Sequence, residues 1–144
     1  MTIRANTDFI AIHCSATRPS MNVDVDDIRK WHKAKGWDDV GYHYVITRSG
    51  QVQRGRSEEK VGAHVEGYNG RSLGICLVGG VAEDDFTQPE NNFTPEQFAA
   101  LKDLLIGLKK RYPGVLVQGH RDFPNVKKAC PSFDVGVWLK EVGL

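Results

Sequence analysis

Asp8-Phe9-Ile10-Ala11-Ile12-His13 is a short, almost unbroken apolar run that ends on a histidine. Apolar continuity, in place of the alternation seen when one face meets water, is the pattern of a strand covered on both sides. The run therefore predicts a central strand of an α/β architecture. It also puts His13 at the mouth of that strand, where the sites of such folds tend to lie.

Two further runs support it. Leu73 to Val78, inside LGICLVGG, reads as a second buried strand, and Val115-Leu116-Val117-Gln118 as a final one that delivers His120 much as the first delivers His13. Gly41 to Thr47 is rich in aromatic and β-branched residues, and Arg48-Ser49-Gly50 turns it toward Gln51-Val52-Gln53, a hairpin signal. Asp24 caps a helix whose interior holds Ile28, Trp31 and His32, with Asp27 returning a carboxylate to the cap and Gly36 ending it. Thr94-Pro95-Glu96-Gln97 is a capping box with proline at the first helical position. Phe98, Leu101, Leu104, Leu105 and Leu108 then recur at helical spacing to about Arg111. Phe133 to Val142 reads as a terminal helix with Phe133, Val137 and Leu139 directed inward. The order is βαβββαβα, a mixed sheet with helices on both faces in one domain, 1–144.

Composition excludes several classes. An apolar fraction of 40%, a charged fraction of 26% and a formal net charge of +1 suit an ordinary globular protein and argue against general nucleic-acid binding. No stretch suits a secretion signal or a membrane span, so synthesis in the cytoplasm without membrane insertion is expected. Nothing patterns for oligomerisation, so a monomer is expected. Cys14, Cys76 and Cys130 are too few and too irregular for a disulfide scaffold, and Cys76 reads as a small buried hydrophobe. The acidic stretch 82–93 reads as surface loop.

The chemistry concentrates near the C-terminus. Gly119-His120-Arg121-Asp122 is followed by Asn125-Val126-Lys127-Lys128-Ala129-Cys130-Pro131-Ser132-Phe133-Asp134, so a thiol stands ten residues after an imidazole with two lysines between. That pairing suits zinc, which takes nitrogen and sulfur ligands. With His13 as third ligand, two histidines and one cysteine leave a fourth position open, the mark of a catalytic rather than a structural site. Cys14 competes for the thiolate role, but beside His13 on a strand it should face the other way, into the core. Tyr42 and His43 should likewise face apart, and periodicity does not choose between them. His32 reads as a residue at the surface or boundary of its helix, without a role. His64, among the glycines of Val61 to Gly70, could touch a ligand from a loop lining a cleft.

The segments FIAIHCSAT, IRKWHKAKGWDDVGYHYVITRSG, VGAHVEGYN, LGICLVGG, NFTPEQ and KKACPSFD resemble, in unchanged order over nearly the whole chain, the zinc-dependent N-acetylmuramoyl-L-alanine amidases, notably the phage enzymes of the T7-lysozyme type. The resemblance implies a T7-lysozyme-like, peptidoglycan-recognition-like fold. It implies His13, His120 and Cys130 as ligands of Zn2+, Tyr42 and Lys128 as catalytic residues, and His64 as a substrate-binding residue near the cleft. The implied reaction cuts the amide between N-acetylmuramic acid and L-alanine of bacterial peptidoglycan, as a phage or prophage endolysin. Such an enzyme is made in the host cytoplasm and acts on the wall after membrane disruption.

Alternatives follow from the same resemblance. A phage RNA polymerase is a possible second partner, bound and inhibited through surface outside the zinc site. A peptidoglycan-recycling amidase would usually place aspartate where Cys130 stands. A non-catalytic recognition domain typically lacks that cysteine. A true muramidase would need two carboxylates flanking a sugar bond, and Glu83, Asp84, Asp85 and Glu90 read instead as solvated surface. HRDFPNVKKAC differs in detail and length from the T7-type loop, which bears on groove shape and substrate preference.

Overall fold

The computed structural model describes residues 2–144. Among them run β1 (Phe9–Cys14), α1 (Val25–Ala34), β2 (Tyr44–Ile46), β3 (Val52–Arg54), β4 (Ser72–Leu77), α2 (Pro95–Arg111), β5 (Leu116–Gly119) and α3 (Val135–Glu141), with short 3-10 turns at Asn69–Arg71 and His120–Asp122. This is the succession expected from the sequence. The sheet order is β3-β2-β4-β1-β5, parallel throughout except for the β2–β3 hairpin. β1 is hydrogen bonded on both edges, to β4 and β5, and this explains its apolar continuity.

Pleating divides β1 between two faces. Ile10, Ile12 and Cys14 pack with Leu101, Leu105 and Leu108 of α2 and Val135 and Trp138 of α3. Ala11 lies on the other face with Val65 and Phe123, next to the layer in which Ile28 of α1 meets Val45 and Cys76. Helices therefore cover both faces, and each fully buried leucine of α2 contributes about 1.5–3 kcal/mol. Because β1, β4 and β5 run the same way, their C-terminal ends share one edge. Ile12 pairs with Gly119, so the residues that follow, His13 and His120, emerge side by side.

Local chemistry sets the helix ends. Asp24 and Asp27 form a reciprocal capping box, each carboxylate accepting the other's backbone N–H at 3.0 Å. Gly36 follows α1 with a positive φ of 94°. Thr94 and Gln97 form the second box. Gln97 does more than its pattern implies: its Nε2 also donates to the carbonyls of Ile46 (3.1 Å) and Val78 (2.9 Å), fastening α2 to β2 and to the end of β4.

Three expectations need correction. Val137 is 52% exposed, whereas Val135 and Trp138 are buried. The Asp134 carboxylate caps α3 by accepting the Val137 N–H, so the helix begins at Val135 and its inward stripe runs through Val135 and Trp138, with Leu139 only partly buried. In α1, Ile28 is buried but Trp31 is 41% exposed. His32, expected at the surface or boundary of the helix, is buried and its Nδ1 accepts the Gly41 N–H at 2.8 Å.

Candidate metal centre

His13 leaves the end of β1 almost wholly buried, at 1% exposure. His120 begins the turn after β5, where the Asp122 carboxylate accepts the Gly119 N–H at 2.9 Å and bends the chain. Cys130 returns from the following loop. That loop is held by Arg121 N–H on the Cys130 carbonyl (2.9 Å) and by the Ser132 hydroxyl on the Gly80 carbonyl (2.9 Å). One donor atom from each of His13, His120 and Cys130 lies within 4.8 Å of the others. His13 presents Nδ1 to Cys130 Sγ at 4.0 Å.

The donor set fits zinc. Bonds of about 2.0–2.1 Å to nitrogen and about 2.3 Å to sulfur around a tetrahedral ion put neighbouring donors ~3.5 Å apart, a modest contraction from the 4.0 Å between His13 Nδ1 and Cys130 Sγ. Burial first, then the neighbouring imidazoles and Lys128, holds the His13 pKa well below its usual value; burial and then Lys128 lower that of His120. Both rings are therefore neutral at pH 7, as ligands must be. The neighbouring Cys14 thiol, then burial, push the Cys130 thiol up, and the Cys14 backbone N–H only partly offsets them. A cation would be needed to draw off its proton, so metal uptake would release one.

Around these three candidate ligands the remaining expected residues converge. Tyr42 lines the same cavity, of about 340 Å³, as His13, His120, Lys128 and Cys130, with its ring centroid 5.1 Å from that of His13. The choice between Tyr42 and His43 is thus made by the backbone. Residues Gly41 to His43 bend before β2 begins, so Tyr42 packs beside the α1 layer while Tyr44, two residues on, faces the α2 layer. His43 lies behind, its Nδ1 accepting from Gly74 N–H (3.0 Å) and its Nε2 donating to the Lys60 carbonyl (2.7 Å). Burial first, then neighbouring thiols, raises the Tyr42 pKa well above its usual value, so its hydroxyl keeps its proton.

His64 and Lys128 border this cavity and also a wider adjoining groove of about 840 Å³, whose walls are the 63–69 loop and the 124–128 loop. His64 is buried, and its Nδ1 lies 2.9 Å from His13 Nε2. Asn69 Oδ1 accepts the N–H groups of both His64 and Val65 at 2.8 Å and so shapes the loop. Cys14 is core, as its strand parity predicts, and the three cysteines are free.

Sequence reasoning missed two features. Trp37, which follows the glycine that ends α1, lines both cavities. Ser72, on β4, touches His64 from behind at 3.4 Å. A turn aromatic and a strand serine carry no pattern that announces a site.

Known proteins share this chain's sequence and fold. The family described as N-acetylmuramoyl-L-alanine amidase matches residues 4–133. The endolysin of Klebsiella phage KP32 is 51% identical over 140 residues, covering 97% of this chain and 90% of that protein. The endolysin of Escherichia phage T7 is 50% identical over 138 residues, covering 96% and 89%. Among solved structures, the endolysin amidase LysCS from Clostridium intestinale superposes with a TM-score of 0.79 at 26% identity, over all of this chain and 90% of the other.

Proposed function

The chain belongs to the N-acetylmuramoyl-L-alanine amidase family, and from that membership we propose that it is a zinc-dependent endolysin of a phage or prophage, hydrolysing the amide between N-acetylmuramic acid and L-alanine in peptidoglycan. The observation that carries this reading is the meeting of His13, His120 and Cys130 within 4.8 Å at a groove that Lys128 and Tyr42 also border.

A bound zinc ion supplies Lewis acidity, activating water near neutral pH and polarising an amide carbonyl. His13 and His120, neutral, and Cys130, deprotonated on metal uptake, hold it. The Lys128 ammonium puts positive charge where the tetrahedral intermediate gains negative charge, and the Tyr42 hydroxyl donates to the same oxygen or passes a proton. His64, at the junction of the two cavities, is a candidate substrate contact. The wide groove offers room for the peptide stem.

The test is mass spectrometry of purified peptidoglycan after digestion with zinc-loaded protein, beside a chelated sample. Peptides with new free L-alanine amines, absent after chelation and without new reducing sugar ends, are expected. New reducing ends would reject the reading. In a cell, the enzyme would reach the wall after membrane disruption; among the described residues no helix is long and apolar enough to cross a membrane. Inhibition of a phage RNA polymerase is a separate proposal, tested by mixing the pure protein with a cognate polymerase.

A further inference from the structure

His13 uses both ring nitrogens. Nδ1 faces Cys130 Sγ at 4.0 Å, and Nε2 meets His64 Nδ1 at 2.9 Å. A ligand nitrogen must offer its lone pair, so the His13 proton has to sit on Nε2. Two imidazoles facing each other do not dictate this by themselves, because either ring could be the donor.

The direction is set further along. On its far edge His64 Nε2 lies 3.4 Å from Ser72 Oγ, and the Ser72 hydroxyl donates to the Tyr68 carbonyl at 2.8 Å. A carbonyl only accepts, so the Ser72 proton is committed to Tyr68 and its oxygen is left to accept. His64 Nε2 then carries a proton, its Nδ1 has only a lone pair, and His13 Nε2 must donate.

The surroundings hold the His64 ring for this purpose. A side chain at Gly74 would place its Cβ 2.7 Å from His64 Cγ, and one at Gly62 would place it 2.7 Å from His64 Cδ2, so the ring lies in a slot that two glycines leave open. Asn69 fixes the loop backbone at His64 and Val65.

We propose that His64 is a positioning residue: anchored through Ser72 to the Tyr68 carbonyl, it locks His13 in the tautomer that presents Nδ1 to the metal. The role rests on the zinc reading above and is separate from any contact His64 makes with substrate. Partners of this kind commonly account for 10–100-fold in metal affinity, by orienting the ligand ring and raising its basicity.

The experiment uses no substrate. Nitrogen-15 histidine spectra of the chelated full-length protein should show the His13 proton on Nε2. Zinc affinity, measured by competition with a chromophoric chelator, should fall roughly 10–100-fold in His64→Leu. His64→Asn, which keeps an acceptor near the Nδ1 position, should recover most of that loss. Ser72→Ala leaves both rings in place, and should show the His13 proton shared between its nitrogens with a smaller loss of affinity. A His13 proton on Nδ1 in the unaltered protein would overturn the proposal. So would wild-type zinc affinity in His64→Leu or, should that variant not fold, an unchanged tautomer and affinity in Ser72→Ala. If the unaltered protein bound no zinc, the hydrolase reading would fall, while the spectra of the metal-free protein would still decide the tautomer.

Discussion

The backbone N–H of Cys14 donates to Sγ of Cys130 at 3.2 Å, so the last residue of β1 grips a loop side chain 116 positions away. The contact holds the sulfur beside His13 before any cation arrives. An N–H aimed at sulfur also favours the thiolate over the thiol.

Cys130→Ala is therefore expected to abolish both zinc retention and hydrolysis, with an affinity loss beyond the roughly 10–100-fold that an outer partner accounts for. The fold should survive, because Cys130 is only partly buried and packs at the edge of the core. Metal analysis after gel filtration, with circular dichroism of the chelated protein, checks both points. Zinc and activity together in this variant would remove Cys130 from the site.

Lys128→Ala and Tyr42→Phe should keep zinc and lose turnover. Each removes one group aimed at developing negative charge, a change that lowers kcat by about 10²–10³ where such a donor is well placed. The Tyr42 variant isolates a hydroxyl that stays protonated because it is buried. Normal turnover there would demote Tyr42 to packing against His13.

The parts of this fold that were legible before the structure are those where one physical demand dominates. Burial on both faces made β1 and β4 near-continuous apolar runs, and the capping boxes at Asp24 and Thr94 announced α1 and α2 to within a residue or so. The convergence of His13, His120 and Cys130 was legible through donor chemistry at strand ends and through the family resemblance. What escaped depends on backbone bends and buried polar pairs. The Gly41 to His43 bend breaks the alternation that would have sorted Tyr42 from His43. The inward stripe of α3 runs through Val135 and Trp138 because the Asp134 cap starts the helix at Val135, two residues later than the apolar run suggests. His32 and His43 are buried because each accepts a backbone N–H, and residue type alone does not reveal that pairing.

Gln97→Ala tests the buried amide that joins α2 to the sheet. The substitution strips the donor from the Ile46 and Val78 carbonyls and breaks the reciprocal half of the Thr94 box. The Ile46 carbonyl keeps the Val78 N–H (3.0 Å) and the Val78 carbonyl a longer contact with Arg48 Nη1 (3.4 Å), so the cost is that of the lost bonds themselves, about 1–3 kcal/mol, read from the urea midpoint. Gln97→Glu should be worse still, since it sets a carboxylate against those two carbonyls. An unchanged midpoint in both variants would mean that water replaces the amide freely.

Acid should destabilise the metal-free protein earlier than carboxylate titration would. Burial, followed by Lys35 and Arg56, lowers His32 to about 4, and burial is also the largest cause of the fall of His43 to about 4. The hydrogen bonds give the reason a second time: in each ring Nδ1 accepts a backbone N–H, from Gly41 and Gly74, and a proton there would set two donors against each other. Both folded values lie below the unfolded value of about 6.5. The unfolded chain then binds the extra protons as pH falls, so this stability is complete above about pH 6.5 and is lost as pH falls toward 4. Each ring contributes a slope of up to about 1.4 kcal/mol per pH unit inside that window. His13, His64 and His120 are shifted in the same direction in the metal-free protein. Urea unfolding of chelated protein should therefore show a midpoint that falls steadily between about pH 6.5 and 4.5. A flat midpoint across that range would mean that these histidines are already charged in the folded state, against the hydrogen bonds they accept.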